Sequence, residues 1–319
     1  LGMPSIASLP AALLLSLGAA TMPSSARDAV QPPLRIATWN LEWLVTPQTA
    51  HAARLACRSG QHSTLPCDVA ARARDSADIA RLAAYARETG ADVFAFQEVE
   101  SADIAREVFS GYDLCVASGR GTQHVGFAVR RELPHRCGPT VDSLSLGGRQ
   151  RAGLTLWLAP GTASAMEMLA VHLKSGCADA DLESGTAACS VLHQQARALS
   201  AWIAGHSPQD RFLVLGDFNR SATDAGQDLF WQLLARAGEK APFLRAGSEV
   251  GFRNCDRGAP YSRAIDHILV GGQLRQALLA GSYLRLRYRS LDALRYHLSD
   301  HCPVRISLNR APAATTAGH

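Results

Sequence analysis

Short apolar runs, rich in β-branched and aromatic residues, recur along the chain from residue 34 onwards and alternate with polar segments. Apolar runs of about four to eight residues bounded by turn-forming residues are typical of β-strands. The pattern predicts strands at residues 34–41, 92–99, 124–131, 154–159, 166–173, 211–218, 263–270 and 303–308. A short glycine-containing segment separates the fourth and fifth runs, which indicates a hairpin and therefore sheets that are at least partly antiparallel.

Three other segments, at residues 75–90, 189–205 and 224–238, have apolar residues three and four positions apart. This is the spacing of an amphipathic helix, and Gly90 and Gly205 mark the expected ends of the first two. The apolar faces of these two helices are predicted to contain Ile79, Leu82, Ala83, Ala86, Val191, Leu192, Leu199, Trp202 and Ile203. Strands mixed with a few helices predict a layered α/β domain.

The N-terminal segment has the pattern of an export signal, with an apolar core at residues 10–20 and small residues before Arg27. No Lys or Arg precedes the apolar core, so a disordered N-terminal extension is the alternative. We expect a signal peptide at 1–26, an extension at 27–33, one folded domain at 34–310 and a flexible tail at 311–319. No later segment reaches the roughly 18 apolar residues of a membrane span, so we expect no stable membrane insertion of a secreted or periplasmic monomer.

Eight cysteines follow the apolar N-terminal core, and no two of them form a CxxC pair. An even number of cysteines in an exported chain favours disulfides over a zinc site. Sequence does not determine which cysteines pair, and buried free thiols are the alternative. Our hypothesis is that each cysteine pairs with its neighbour along the chain, as Cys57–Cys67, Cys115–Cys137, Cys177–Cys189 and Cys255–Cys302.

The formal net charge of +4 is only weakly basic and does not by itself indicate a nucleic-acid partner. Of the 32 basic residues only Lys174 and Lys240 are lysines, which leaves 30 arginines. Guanidinium groups match phosphate oxygens well, so the bias fits a phosphate-binding protein. The codon usage of a GC-rich genome explains the same bias without any function.

Polar residues that can take part in catalysis or metal binding lie at or near the ends of most predicted strands. Each alone could cap a turn or lie on the surface, but buried strands do not tolerate unpaired carboxylates, and strand ends converge at one rim of an α/β sheet. Carboxylates and amides are ligands for Mg²⁺, Mn²⁺ or Ca²⁺, and histidines beside acids suit acid–base chemistry, a combination that predicts phosphate-ester hydrolysis. The residues are Asn40, Glu42, Glu98, His172, Asp217, Asn219, Asp266, His267, Asp300 and His301.

The segments RIATWNLEWL, FAFQEVE, AVHLKS, VLGDFNR, RAIDHILV and LSDHCPV, in this order, resemble the endonuclease/exonuclease/phosphatase superfamily, which includes deoxyribonuclease-I-like enzymes. The motifs span residues 34–308. The resemblance implies a four-layer α/β/β/α sandwich of two mixed sheets with helices outside. Within VLGDFNR we expect Gly216 to allow close backbone approach and Phe218 to pack into the core.

The resemblance also implies a role for each motif residue. Glu98 is similar to the main metal-binding carboxylate of the family, and Asn40 to the amide that organises metal and phosphate. Glu42 stands where some relatives have a second acid near the metal, and Asp300 resembles a further metal-site acid. The implied cofactor is Mg²⁺, with Mn²⁺ or Ca²⁺ as alternatives.

Five other residues resemble the family's catalytic groups. Asp217 would orient water or the leaving group, and Asn219 would contact a phosphate oxygen or the metal. His301 resembles the catalytic histidine and Asp266 the acid that orients it. His172 resembles a second histidine of the deoxyribonuclease and sphingomyelinase branches, which argues against the apurinic-endonuclease branch.

Substrate contacts are expected from Arg149, Arg151 and Lys174, and from Arg120 in the glycine-rich segment 118–126. Ordinary solvated charge is the alternative for each. The leading hypothesis is a DNase-like endonuclease acting on nucleic acid. A sphingomyelinase-like phospholipid phosphodiesterase and an inactive binding protein on the same scaffold are the alternatives, although no run of aromatic residues suggests membrane contact.

Overall fold

The computed structural model describes residues 1–2, 31–119, 121–222, 226–255 and 263–310. Contacts divide the chain into Leu1–Gln31 and Pro32–His319, and the second unit holds the strands and helices given below. Residues 3–26 of the expected signal peptide, the tail at 311–319 and Arg120 lie outside the described residues.

The strands of the described chain form two six-stranded sheets. In chain order they are β1 (Leu34–Leu44), β2 (Val93–Val99), β3 (Tyr112–Val116), β4 (His124–Arg130), β5 (His135–Val141), β6 (Gly153–Leu158), β7 (Met166–His172), β8 (Arg211–Asp217), β9 (Phe243–Arg245), β10 (Asp266–Gly272), β11 (Leu284–Arg285) and β12 (Val304–Leu308). The first sheet has the order β11-β12-β1-β2-β4-β3, and the second β5-β6-β7-β8-β10-β9.

Each sheet contains one parallel pair among antiparallel neighbours. In the first sheet β1 and β2 are parallel, and in the second β7 and β8 are parallel. The remaining pairs are antiparallel, including the predicted hairpin of β6 and β7. The carboxyl ends of two neighbouring strands therefore meet at one place in each sheet.

The helices lie outside the two sheets. They are α1 (Pro47–Arg58), α2 (Cys67–Ala71), α3 (Ser76–Thr89), α4 (Ala102–Val108), α5 (Ala187–Ala204), α6 (Leu229–Ala237), α7 (Leu274–Ala277) and α8 (Ser290–Arg295), with a 3₁₀ turn at Asp142–Ser145. One core lies between the sheets, a second joins the first sheet to α3 and α4, and a third joins the second sheet to α5 and α6. The predicted four-layer α/β/β/α sandwich is confirmed.

The three predicted helices are present, and capping residues explain where their ends agree with the prediction and where they differ. Helix α3 has a capping box formed by Asp75 and Asp78, and it ends at Gly90 in the left-handed conformation, as predicted. Helix α5 begins before the predicted residue 189, because the side chain of Thr186 accepts a hydrogen bond from the Cys189 amide. Helix α6 begins only at Leu229, because Asp228 is its N-cap.

All eight cysteines lie in the described residues and pair as predicted. The bridges are Cys57–Cys67, Cys115–Cys137, Cys177–Cys189 and Cys255–Cys302, with Cα–Cα distances of 5.7, 5.6, 5.1 and 5.4 Å. The second bridge joins β3, an edge strand of the first sheet, to β5, an edge strand of the second. This bridge therefore links the two sheets covalently.

Replacing Cys115 and Cys137 with serine together is expected to lower the free energy of unfolding. The bridge closes a loop with a sequence separation of 22, for which loss of the cross-link costs roughly 3 kcal/mol through the entropy of the unfolded chain. Guanidinium denaturation of the double variant, beside the wild type under non-reducing conditions, measures the difference. A change below about 1 kcal/mol would show that the non-covalent core alone holds the sheets together.

Candidate active site

The apolar core between the two sheets ends in a layer of polar residues. In β1, Leu34 and Ile36 belong to this core, and the alternation of a strand places Thr38 and Asn40 on the same face. In β2, Gln97 lies on the matching face and its Nε2 donates to Thr38 Oγ1 at 3.2 Å. This polar layer separates the core from a cluster of charged side chains at the strand ends.

The second sheet supplies three members of this cluster in register. Asp217, at the end of β8, is paired through its backbone with His172 of β7 and with Asp266 of β10. The neighbouring residues of the same face belong to the core between the sheets: Ala170 and Leu215 precede His172 and Asp217, and Ile268 follows Asp266. The three side chains therefore point toward the first sheet, and all three are buried.

Gly216 permits the close approach of β8 to β7. A Cβ atom added at this position would lie 2.0 Å from the carbonyl oxygen of Val171, a distance that no side chain allows. Phe218 is fully buried and packs on Trp231 of α6. Both sequence expectations are confirmed, and the glycine and the aromatic ring together fix where Asp217 and Asn219 emerge.

Asn40 connects the two sheets through its amide group. Its Nδ2 donates to Glu98 Oε1 at 3.1 Å within the first sheet and to Asp217 Oδ2 at 3.0 Å in the second. Its Oδ1 accepts from the Glu42 amide at 2.9 Å. His172 Nε2 lies 3.5 Å from Glu98 Oε1 and 3.6 Å from Asp217 Oδ2, so it contacts the same two carboxylates as Asn40.

Four non-glycine residues of this cluster have left-handed backbone conformations, a region that L-residues rarely adopt. The φ angles are 45° at Glu42, 49° at Trp43, 60° at Glu98 and 49° at Asn219. Strict alternation in β2 would direct Glu98 to the face of Phe94 and Phe96, toward the helices. The left-handed turn, which accompanies a register shift in β2, instead directs the carboxylate to Asn40 and His172.

His301 and Asp266 form a buried pair. The two carboxylate oxygens of Asp266 lie 2.9 and 3.0 Å from His301 Nδ1. His301 Nε2 lies 3.8 Å from Asp217 Oδ2 and 3.9 Å from Asp300 Oδ1. The ring nitrogen opposite Asp266 therefore faces two further carboxylates.

The loop that carries His301 is fastened to β1 and to the residues around it. Trp39 Nε1 donates to the His301 carbonyl oxygen at 3.1 Å, and the Tyr288 hydroxyl donates to the same oxygen. Ser299 Oγ donates to the Asn40 carbonyl oxygen at 2.7 Å, and the Asp300 amide donates to Glu42 Oε2 at 3.0 Å. These bonds fix the position of the imidazole ring from its backbone side.

The pKa values of the buried pair differ strongly from ordinary values. Burial opposes the charged form of His301, but the carboxylates of Asp266 and Asp217 and the hydrogen bond to Asp266 outweigh burial and raise its pKa to about 10. Burial raises the pKa of Asp217 to about 7, although His301 partly offsets the effect. For Asp266 the favourable interactions with His301 outweigh burial, and its pKa is lowered. Near neutral pH His301 is therefore an imidazolium.

His172 is a neutral histidine at this site. Burial lowers its pKa well below the usual value, and the charges of Arg151, His301 and Lys174 act in the same direction. Its Nδ1 is buried and has no hydrogen-bond partner in the described part of the chain. The site thus contains two histidines in opposite charge states.

Glu42 is held away from the centre of the cluster. Its Oε2 lies 3.3 Å from Nη2 of Arg74, a guanidinium whose side chain is only 4% exposed, and Arg74 Nη1 donates to the Glu42 carbonyl oxygen at 2.5 Å. Burial raises the pKa of Glu42, but hydrogen bonding to His297 and the charge of Arg74 outweigh it, and the net shift is downward. Sequence reasoning missed Arg74, which is not near any motif in sequence.

The predicted basic residues occupy different positions around this cluster. Arg149 is exposed, and it lines a groove of about 700 Å³ together with Arg151, Gln123 and Trp43. Arg151 donates to the carbonyl oxygens of His172 and Leu173 at 3.2 and 2.8 Å and to Gln123 Oε1 at 3.1 Å. Lys174 is half-buried and lies two residues after the end of β7.

Sequence reasoning also missed Arg285, whose Nη1 lies 3.8 Å from Asp266 Oδ2. The available signal was the segment LRLRYR at 284–289, in which arginine recurs at every second residue. His267, beside Asp266 in the sequence, faces away from the cluster: its Nε2 contacts the Arg220 carbonyl oxygen at 2.9 Å, and burial lowers its pKa to about 3.

The described residues contain no group of three or more His, Cys, Asp or Glu side chains arranged as a preformed metal site. No helix in the same part of the chain is long and apolar enough to cross a bilayer.

A four-layer sandwich with paired acids and histidines at facing strand ends defines a class of hydrolases that act on phosphoester bonds. The chain belongs to the Endonuclease/Exonuclease/phosphatase family, which it matches over residues 37–301. The resemblance seen in the sequence is thus confirmed. No curated protein sequence matches the chain closely enough to add a more specific relative.

Solved structures share the fold at low sequence identity. TDP2 from D. rerio, complexed with a single-strand DNA product, is 16% identical with a TM-score of 0.54, covering 88% of this chain and 100% of its own. The 3′ phosphatase NExo from Neisseria, bound to a product DNA hairpin, is 16% identical with a TM-score of 0.53, covering 87% and 100%. An AP endonuclease from Archaeoglobus fulgidus is 13% identical with a TM-score of 0.53, covering 87% and 100%.

Proposed function

We propose that the protein is an exported, divalent-metal-dependent phosphodiesterase that cleaves nucleic acid, as a DNase-like endonuclease. The observation that carries the proposal is the buried His301–Asp266 pair, in which the ring nitrogen opposite Asp266, Nε2, lies 3.8 Å from Asp217 Oδ2. A positioned cation beside an acid with a pKa near 7 suits attack of water on a phosphodiester at neutral pH.

Asp217 and His301 would have different roles, proton transfer for Asp217 and stabilisation of negative charge for His301. Asp217 is the better candidate to orient and deprotonate the attacking water, because its pKa of about 7 matches the operating pH. His301, with a pKa of about 10, would stabilise negative charge that develops on the phosphoryl oxygens. Neutral His172 would hydrogen-bond the leaving oxygen, and Asn219, whose Nδ2 donates to Asp217 Oδ2 at 3.0 Å, would keep Asp217 oriented toward phosphate.

Glu98, with Asn40 and Asp300, would hold the metal, Mg²⁺ or alternatively Mn²⁺ or Ca²⁺. The donor set fits a hard cation, because these residues offer carboxylate and amide oxygens and Glu98 remains 14% exposed. Mg²⁺ in proteins commonly has one or two carboxylate ligands and completes its coordination with water and substrate phosphate, so a preformed cage is not needed. A bound cation would offset negative charge on the phosphoryl group.

Glu42 and Arg151 act better as positioning residues than as ligands. Glu42 is engaged by Arg74 and by the Asp300 amide, so it would hold the loop of Asp300 and His301 rather than the metal. Arg151 uses three donors on the carbonyl oxygens behind His172 and on Gln123, so it would hold the end of β7. Arg149 and Lys174 remain candidates to contact substrate phosphates, and Arg120 stays a sequence-based candidate.

Export and nucleic-acid binding rest on separate observations. Four disulfides fit an oxidising compartment, which supports the signal peptide expected at 1–26. DNA is present in the TDP2 and NExo structures, which supports nucleic acid as the substrate.

The large apolar side chains exposed in the described chain include no aromatic ring that would anchor the protein to lipid. They are Leu1, Leu55, Val250, Leu291 and Leu294. We retain the expectation of a monomer with its catalytic domain at 34–310.

Plasmid nicking tests the proposal. With Mg²⁺ the purified protein is expected to convert supercoiled DNA to the relaxed form, and EDTA is expected to abolish the reaction. Sphingomyelin vesicles incubated in parallel should remain intact. Hydrolysis of sphingomyelin without DNA cleavage would replace the proposal with a phospholipid phosphodiesterase, and inactivity on both, with Mg²⁺ bound, would favour a binding protein.

A further inference from the structure

A second cavity, of about 600 Å³, lies beside the site and shares no described lining residue with the groove of Arg149 and Arg151. We call it the arginine-lined cavity, because its walls carry Arg245, Arg253, Arg263, Arg285 and Arg287. The described lining residues include no carboxylate. Its volume lies within the range of cavities that hold ligands of nucleotide size.

Carboxylates outside the lining offset only part of this charge. Arg263 Nη1 lies 3.1 Å from Asp179, and Glu249 acts on Arg245. Arg287 Nε donates to the Asn254 carbonyl oxygen at 2.7 Å, and Arg287 forms no ion pair with a carboxylate of the described residues. A concave surface with clustered positive charge attracts and concentrates anions.

Most of the Arg285 side chain is shielded from solvent, although one nitrogen of its guanidinium lacks an acceptor within the described residues. The side chain is 10% exposed, and Nη2 has no hydrogen-bond acceptor in the described part of the chain. The one carboxylate that forms an ion pair with Arg285 among the described residues is Asp266, at 3.8 Å, and it already pairs with His301. A buried guanidinium donor without an acceptor is costly, and an oxyanion in the cavity would supply the acceptor.

A narrow cleft connects the arginine-lined cavity to the catalytic pair. The cleft and the cavity share Phe252, Arg263 and Arg285, and the cleft is also lined by Asp266 and His301. A ligand in the cavity therefore lies next to the phosphate that His301 would contact.

We propose that the arginine-lined cavity binds the phosphodiester adjacent to the one that is cleaved, so that the substrate is a chain of phosphodiesters. This inference rests on the proposed function and sharpens it, because a phospholipid with a single phosphate would leave the cavity empty. The cavity would raise affinity and turnover for oligonucleotides over esters that contain one phosphate.

The double variant Arg253→Gln/Arg287→Gln tests the inference. Anisotropy titrations in EDTA give the Kd of a fluorescent twelve-nucleotide single strand as a function of salt. Loss of two phosphate contacts should reduce the slope of log Kd against log salt by about 1.4, since each contact on a single strand contributes about 0.7. With Mg²⁺, the ratio of kcat/KM for the oligonucleotide to kcat/KM for bis(4-nitrophenyl) phosphate should fall about tenfold or more.

The matched control is Arg106→Gln/Arg197→Gln, which removes the same charge from exposed positions on α4 and α5 and should leave slope and ratio at wild-type values. Arg253→Gln alone should give about half the slope change, which separates phosphate binding from any loosening at Asn254. An unchanged salt slope in Arg253→Gln/Arg287→Gln overturns the inference, and so does an equal change of slope in the control variant. In either case hydrolysis of the model ester by the wild type would still support the proposed hydrolase function. Binding to phosphatidylserine vesicles in place of DNA also overturns it. Failure of wild-type protein to hydrolyse the model ester counts against the proposed function itself.

Discussion

Replacing His301 with glutamine is expected to lower kcat for DNA cleavage by about 10³-fold, the upper end of the loss seen when one preorganised group that stabilises transition-state charge is removed. The reason is that the imidazolium, whose pKa is about 10, would stabilise charge on the phosphoryl oxygens, whereas a neutral amide cannot. Single-turnover cleavage of a labelled duplex measures the effect without interference from product release. Activity within tenfold of wild type would exclude His301 from the reaction.

The single variant leaves Asp266 buried without its histidine, and an unpaired buried charge is strongly destabilising. The double variant His301→Gln/Asp266→Asn removes both charges and separates lost chemistry from lost folding. It should be as inactive as the single variant and should melt closer to the wild type. The matched control is His267→Gln, next to Asp266 in β10. The His267 ring packs against Phe218 and Trp231, so this variant should lose stability but keep kcat.

Replacing Glu98 with glutamine is expected to abolish Mg²⁺-dependent cleavage and to remove the stabilisation of the protein by Mg²⁺. A ligand that binds only the folded state stabilises it by about 2.7 kcal/mol at one hundred times its Kd, which raises Tm by several degrees. The wild type should show this rise and the variant should not. Thermal melts across a Mg²⁺ titration measure it independently of activity.

Glu100 provides the control for Glu98, because it is a carboxylate two residues further along the chain. Its oxygens accept from the Thr46 amide at 2.5 Å and from the Thr49 hydroxyl, at the beginning of α1. Glu100→Gln should therefore weaken α1 but retain the rise in Tm with Mg²⁺. If Glu98→Gln retains it as well, the metal is bound elsewhere.

The strands that the sequence predicted and those that it missed differ in their place in the sheets. All eight predicted strands are present, and the four that were missed, β3, β5, β9 and β11, are the four edge strands. Central strands are covered on both faces and read as continuous apolar runs. Edge strands are short or polar: β5 contains Gly138 and Pro139 and has no buried residue, and β11 has two residues.

The candidate site was predictable to the extent that strand alternation determines it. Asn40, His172 and Asp217 continue the inward face of their strands beyond the apolar residues, and Asp266 begins the inward face of β10 before them, so their convergence follows from the alternation of each strand. Arg74 comes from a segment without a motif and reaches the site only through the tertiary fold. The alternating arginines at 284–289 mark Arg285 as unusual, but their spacing does not show that it contacts Asp266.

The left-handed residues around the site have a consequence for the evolution of the protein. A non-glycine residue at such a φ angle costs of order 1 kcal/mol, and glycine would relieve that cost. A laboratory selection that rewarded heat resistance alone would therefore enrich glycine at Glu98 and Asn219, together with neutral replacements of the buried acids. Under the proposed function the resulting lineages would be more stable but inactive, because the same side chains would bind the metal and position the phosphate.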